Sequence, residues 1–118
     1  MADSKIQSYR DLRVWQESVN LAESCYRLTK TFPKEELYGM TTQIRRASVS
    51  IAANIAEGYG RKTRGEYIQF LYIAQGSLKE LETHWLISQR VEREHLTFVT
   101  PKLSFMSSYF ESLTRSKF

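Results

Sequence analysis

Along most of the chain apolar residues recur at every third or fourth position. That spacing commits the chain to helices, because residues three and four apart share one helical face whereas a strand needs strict alternation. In DLRVWQESVNLAESCYRLTKTF the stripe is Leu12, Trp15, Val19, Ala22 and Tyr26, with Asp11 the expected N-cap and Pro33 a stop just beyond. A second helix is expected from about Leu37 to Gly58, with Leu37, Met40, Ile44, Ala47, Ile51 and Ile55 facing the core and Gly58 and Gly60 ending it. After GRKTRG a third begins near Thr63 or Arg64, carries Tyr67, Phe70, Leu71, Ala74, Leu78, Leu81 and Trp85 on one face, and reaches about Ser88. The same beat continues at Leu96, Val99, Leu103, Met106, Phe110 and Leu113, where Pro101 kinks a fourth helix or starts it afresh with Thr100 as cap. Four amphipathic helices with short connections predict an all-α, up-down-up-down four-helix bundle.

The chain has 118 residues, enough for one domain that buries roughly two-thirds of its unfolded surface without staples. Residues 1–8 are expected to be an extended or disordered lead-in, and 9–116 the single bundle domain. One cysteine, Cys25, cannot form an internal disulfide. No run approaches the ~20 apolar residues of a membrane span, so no membrane partner is expected. The segment MADSKIQSYR lacks an apolar signal core, which makes the cytoplasm the expected compartment.

The second helix has more faces than a surface helix needs. At about 100° per residue, Gln43, Arg46, Ser50, Asn54, Glu57 and Arg61 fall on a polar stripe. Val49, Ala52, Ala53, Ala56 and Gly60 gather on a third face, neither charged nor bulky. An apolar face away from the core implies a second close partner, and Val49, Ala52, Ala53 and Ala56 are therefore expected in an oligomer interface. The third helix carries its own polar line, Glu66, Gln69, Ser77, Glu80 and His84. Ser50, Asn54, Glu57, Ser77 and Glu80 are thus expected to form a polar interhelical network whose first role is to set register, ahead of any ligand role.

The net charge of +4 is localised. Between Thr41 and Gly65 stand Arg45, Arg46, Arg61, Lys62 and Arg64 against Glu57 alone, while bases and acids elsewhere cancel. Such a cluster suits a polyanion, since each phosphate neutralised releases condensed counterions; a merely solvated basic surface is the alternative. Exposed amides at the start of the third helix, beside Arg61, Lys62 and Arg64, add the helix dipole to that charge.

Catalytic and metal sites find little support. The paired-metal bundles need two Glu-x-x-His spacings, and here Glu92 and His95 make one, inside the charged segment RVEREH. Glu80 and His84 have an ordinary ion-pair spacing. Cys25 sits mid-helix with no His near it in sequence, and GYGRKTRG follows a helix rather than the strand a nucleotide-binding loop requires. No catalytic residue, metal or cofactor is expected.

The run QIRRASVSIAANIAEGYGR, followed by EYIQFLYIAQGSLKELETHW and preceded by YRDLRVWQESVNLA, resembles the four-helix-bundle proteins first noted as reading frames inside intervening sequences of bacterial large-subunit ribosomal RNA genes. The resemblance covers about Tyr9 to Gln89 and rests on Arg45, Arg46, Ser50, Asn54, Glu57, Gly58, Gly76, Ser77, Glu80 and Thr83. It implies a left-handed bundle that assembles into a ring, typically a homopentamer, with no established enzymatic activity. It further implies similarity to the accessory protein of diversity-generating retroelements, a basic pentameric barrel that binds nucleic acid and a reverse transcriptase. Two departures stand out: Ala52 where many relatives have proline, and Gln75 where arginine is frequent. The second weakens the expectation of tight nucleic-acid binding by the third helix.

Two functions follow from different classes. In the first, the chain is a non-enzymatic oligomer that binds RNA, or DNA, through Arg45, Arg46, Arg61, Lys62 and Arg64, contacting phosphates without reading sequence. In the second, it is a structural or adaptor oligomer whose partner is another protein.

Overall fold

The computed structural model describes residues 6–91. Among them there are three long α-helices and no strand: α1, Arg13–Thr29; α2, Thr42–Tyr59; and α3, Arg64–Val91. The fourth helix expected over Leu96 to Leu113 lies outside the described residues. The central element is α2, which packs along α3 on one side and α1 on the other.

The start of α1 differs from expectation. Ser8, not Asp11, is the capping residue, and it caps a short 3-10 turn, Tyr9–Asp11. The Asp11 carboxylate accepts from the backbone N–H of Gln7 at 2.8 Å and of Ser8 at 3.3 Å, closing a capping box. Leu12 then precedes α1 without a side-chain cap.

The buried face of α1 is also not the expected one. Val14, Ser18, Leu21, Cys25 and Thr29 face the core, whereas Val19 and Tyr26 are exposed and Leu12, Trp15 and Ala22 are only partly covered. The reason is chemical: Ser18 and Thr29 donate their hydroxyl hydrogens to carbonyls one turn back, Ser18 to Val14 at 2.7 Å and Thr29 to Cys25 at 2.7 Å. Once a hydroxyl is satisfied inside its own helix, a small polar residue can be buried at little cost.

Pro33 follows the end of α1 as expected, and a 3-10 turn, Lys34–Glu36, leads into a wide π-type turn, Leu37–Thr41. That turn is kinked at Gly39 (φ −109°, ψ −108°), so α2 proper starts at Thr42, five residues later than the expected start at Leu37. The Leu37 side chain lies outside the described residues. Ile44, Ala47, Ile51 and Ile55 are buried on α2 as the spacing predicts, joined by Ser48 and Gly58.

On α3 the buried residues are Leu71, Ala74, Leu78, Leu81, Trp85 and Ser88, and the helix continues three residues past Ser88. Trp85 meets Phe32 edge to face with ring centroids 5.9 Å apart, tying the end of α3 to the connection after α1. Gly58 allows a close α2–α3 approach: a Cβ there would lie 2.5 Å from the Cβ of Phe70. Its glycine serves packing rather than termination, since α2 runs on through Tyr59 to a C-cap at Gly60.

Candidate functional site

Three groups of residues singled out in the sequence occupy three different places. The polar group lies on the α2–α3 seam. The Ser50 and Ser77 hydroxyls share a hydrogen bond of 2.9 Å between the helices, and Asn54 donates from Nδ2 to the Ser50 carbonyl at 2.8 Å and to its hydroxyl at 3.0 Å. All three are partly buried. The two carboxylates belong elsewhere: Glu57 accepts at 3.0 Å from Arg61, just beyond the end of α2, and Glu80 meets His84 within α3 at 3.4 Å, both carboxylates being exposed. The bond between Ser50 and Ser77 is an interhelical clamp, and Asn54 orients its Ser50 end.

The basic residues are divided between the two ends of α2. Arg45 and Arg46 sit in its first turns, while Arg61, Lys62 and Arg64 follow its C-terminus, about 22 Å away at 1.5 Å per residue. Arg45 turns toward α1. Its Nε donates to the Thr29 hydroxyl at 2.9 Å, its guanidinium lies 4.7 Å from the centre of the Tyr26 ring, and a terminal nitrogen is 3.5 Å from the Tyr26 carbonyl. A cation there complements the partial negative charge at the C-terminus of α1. Arg46 is exposed on the outer side of α2.

At the other end, Arg61, Lys62, Thr63 and Arg64 are all exposed. Thr63 caps α3 by accepting from the Glu66 N–H at 3.1 Å. Arg61 lies over the Phe70 ring at 4.7 Å as well as pairing with Glu57. Beneath the turn Tyr59 and Tyr67 meet edge to face at 5.9 Å, and burial, with Tyr59 adding to it, raises the Tyr67 phenol above its ordinary pKa of 10.0. The turn is thus a cationic tip on an aromatic base.

The small-residue face forms one wall of an open groove of about 340 Å³ between α1 and α2. Val49, Ala52, Ala53 and Ala56 face Trp15, Val19 and Ala22 across it, and Tyr9 closes one end against the edge of Trp15 at 5.1 Å. Trp15, Val19 and Ala22 of the α1 stripe expected in the core are therefore the opposite wall, while Leu12 and Trp15 also pack against the core as expected. Val49 retains 45% of its exposure in a lining that is otherwise mostly alanine and aromatic carbon.

Sequence reasoning missed two features: the Arg45 clamp on α1 and the α1 wall of the groove. A signal for the second was present, since Val14, Leu21, Cys25 and Leu28 repeat with the same spacing as the stripe chosen. The serine at position 18 hid it.

A family model for the 23S rRNA-intervening sequence protein matches residues 10–96. The chain belongs to that family. A crystal structure of a protein of unknown function from the S23 ribosomal protein family of Bacteroides thetaiotaomicron VPI-5482 superposes with a TM-score of 0.72, covering 86% of this chain and 97% of that one at 24% identity. At that identity the likeness speaks for the fold alone. No curated protein matches. No helix among the described residues of this 23S rRNA-intervening sequence family member is long and apolar enough to cross a membrane. None of their His, Cys, Asp and Glu side chains gather in threes to hold a metal ion.

Proposed function

We propose that the chain is a non-enzymatic bundle protein that assembles with copies of itself and binds nucleic acid, RNA ahead of DNA, through the basic α2–α3 turns which assembly multiplies. The observation that carries this reading is the open apolar groove walled by Val49, Ala52, Ala53 and Ala56. Two helices each spend a second apolar face on it, which is wasteful in a solitary chain and favourable where another surface fills it. A ring of five, as in the family resemblance, would bring Arg61, Lys62 and Arg64 of each copy onto one rim. Contact there is to phosphates and carries no sequence information.

Replacing Ala53 with Glu tests the assembly half. Light scattering is expected to find a mass above that of one chain for the native protein and a single-chain mass for the variant, with helix content unchanged by circular dichroism. A native protein of single-chain mass refutes the assembly. For the nucleic-acid half, the affinity for a structured RNA is expected to fall steeply and linearly on a log–log salt plot. Changing Arg61, Lys62 and Arg64 together to Ala should flatten the slope by up to about three phosphate contacts.

The adaptor reading is favoured by a different observation, the engagement of Arg45 by α1 and of Arg61 by Glu57, which leaves less free cationic surface than the sequence promises. An assembled protein that binds neither RNA nor DNA at low salt would decide for it.

A further inference from the structure

The buried hydroxyl residues of the described chain are Ser18, Thr29, Thr41, Ser48 and Ser88. Three of them are satisfied inside their own helix, Ser18 by the Val14 carbonyl, Thr29 by that of Cys25 and Ser48 by that of Arg45. The other two are not. Among the described residues, Thr41 Oγ1, Ser88 Oγ and the indole Nε1 of Trp85 are the buried side-chain polar atoms that no group of the chain hydrogen-bonds. Trp85 is 1% exposed, Thr41 3% and Ser88 5%, so bulk solvent does not reach them. Leaving a buried donor or acceptor unpaired is costly, which is why such atoms in a folded chain are met by a protein group or by an ordered water.

The three atoms come from one layer of the fold. Across their short connection α2 and α3 run antiparallel, with Ser50 facing Ser77 at 2.9 Å and Gly58 against Phe70. Nine residues before Ser50 is Thr41, and nine after Ser77 is Leu86, which Trp85 and Ser88 bracket on the buried side of α3. Trp85 and Ser88, three apart, are neighbours on that side. Phe32, edge to face with Trp85 at 5.9 Å, adds apolar carbon to the layer. Thr41 holds the N-cap position of α2, where a threonine hydroxyl ordinarily accepts from an N–H of the first turn, yet it makes no such bond. The charged groups nearest in sequence are engaged: Arg45 with Thr29 and Tyr26, Glu36 with the Met40 N–H, and His84 with Glu80. The layer thus offers one N–H and two hydroxyls, enclosed and uncharged, and its complement is a small neutral molecule that both accepts and donates.

We infer that Thr41, Trp85 and Ser88 form a binding site for one resident water molecule at this end of the helices. The water oxygen accepts from Trp85 Nε1, and its two hydrogens are donated to Thr41 Oγ1 and Ser88 Oγ, which makes about the three bonds usual for a buried water. A charged occupant would be desolvated there without a counter-charge. A larger neutral one has no opening to enter by at these exposures. Thr41 ends the wide turn Leu37–Thr41, so the water joins α3 to the kinked connection that leads into α2. That turn is then held to the core by solvent at its last residue, as its Met40 N–H is held by Glu36. The site shares no residue with the α1–α2 groove or the basic turn, and it stands independently of the function proposed above.

Nuclear magnetic resonance of the full chain in water tests the site directly. The chain has two tryptophans, Trp15 and Trp85, and Trp15→Phe assigns the Trp85 indole N–H by leaving it in place. A cross-peak from that N–H to water, with the sign of a long-lived bound molecule rather than of chemical exchange, is expected. Contact with chain hydrogens alone overturns the inference, since a side chain, one beyond Val91 included, is then the partner. Urea denaturation supplies a second readout through Thr41→Val, which keeps the shape and removes the hydroxyl, and through Ser88→Ala. Each is expected to lower the midpoint, and the double variant to lose less than the sum, because both hydroxyls bond the same molecule. A midpoint raised by Thr41→Val means that the hydroxyl was an unpaired burden, and strictly additive losses mean separate partners. Either outcome overturns the shared water.

Discussion

Gly58 is the most tightly enclosed of the chain's glycines and lies on the α2–α3 seam. With Phe70 Cβ 2.5 Å from where its own Cβ would stand, Gly58→Ala must push the helices apart, because the obstruction is at the root of a side chain rather than its flexible end. An overpacking cost of about 1–3 kcal/mol is expected, read as a lower urea midpoint. Gly76→Ala, with open space around it, should raise the stability of an isolated chain instead. The clamp between Ser50 and Ser77 is milder. A double-mutant cycle with Ser50→Ala and Ser77→Ala is expected to give a coupling of about 0.5–1.5 kcal/mol. Tyr67 sets an alkaline limit. Its phenol is raised above 10.0 in the folded chain, so between the unfolded and folded values the native state holds the extra proton, and stability falls as pH rises through that range. Below the unfolded value the contribution is fully present. Tyr67→Phe should make the loss of stability above pH 10 shallower, as followed by chemical denaturation at successive pH values.

At the scale of elements, α1 shows why a periodic pattern does not settle its own phase. Two stripes of similar spacing run along it, one wholly apolar through Trp15, Val19 and Ala22, the other interrupted by Ser18 and ending in Thr29. The interrupted stripe is the one that packs inward, since its hydroxyls bond back to their own helix. On α2 and α3 the phase was legible: Ile44, Ile51 and Ile55, and Leu71, Leu78 and Leu81, have no competing stripe of equal size. Arg45 fixes the join of α1 to α2 through three contacts at once, the Thr29 hydroxyl, the Tyr26 ring and the Tyr26 carbonyl. Arg45→Met is expected to lower stability by about 1 kcal/mol, and Arg45→Lys to recover little of it. An ammonium cannot hold a planar fork against a hydroxyl and a ring together.

For the whole molecule, assembly would make stability depend on protomer concentration, because a partner that binds only the folded chain stabilises it by mass action. Thermal midpoints of the native protein are therefore expected to rise with concentration, and those of Ala53→Glu to stay constant. Helical class, the core faces of α2 and α3 and the extra apolar face on α2 could be read from residue spacing, because periodicity is a local property that survives without knowledge of neighbours; the family was legible through the resemblance of its motifs. The tertiary structure alone decided what lies opposite each face. It turned α1 by one stripe so that Trp15 and Val19 wall a groove, drew Arg45 out of the basic set to cap a neighbouring helix, and joined Ser50 to Ser77 across the α2–α3 seam. Those outcomes depend on which atoms come within about 3 Å across helices, and no spacing within one helix encodes that.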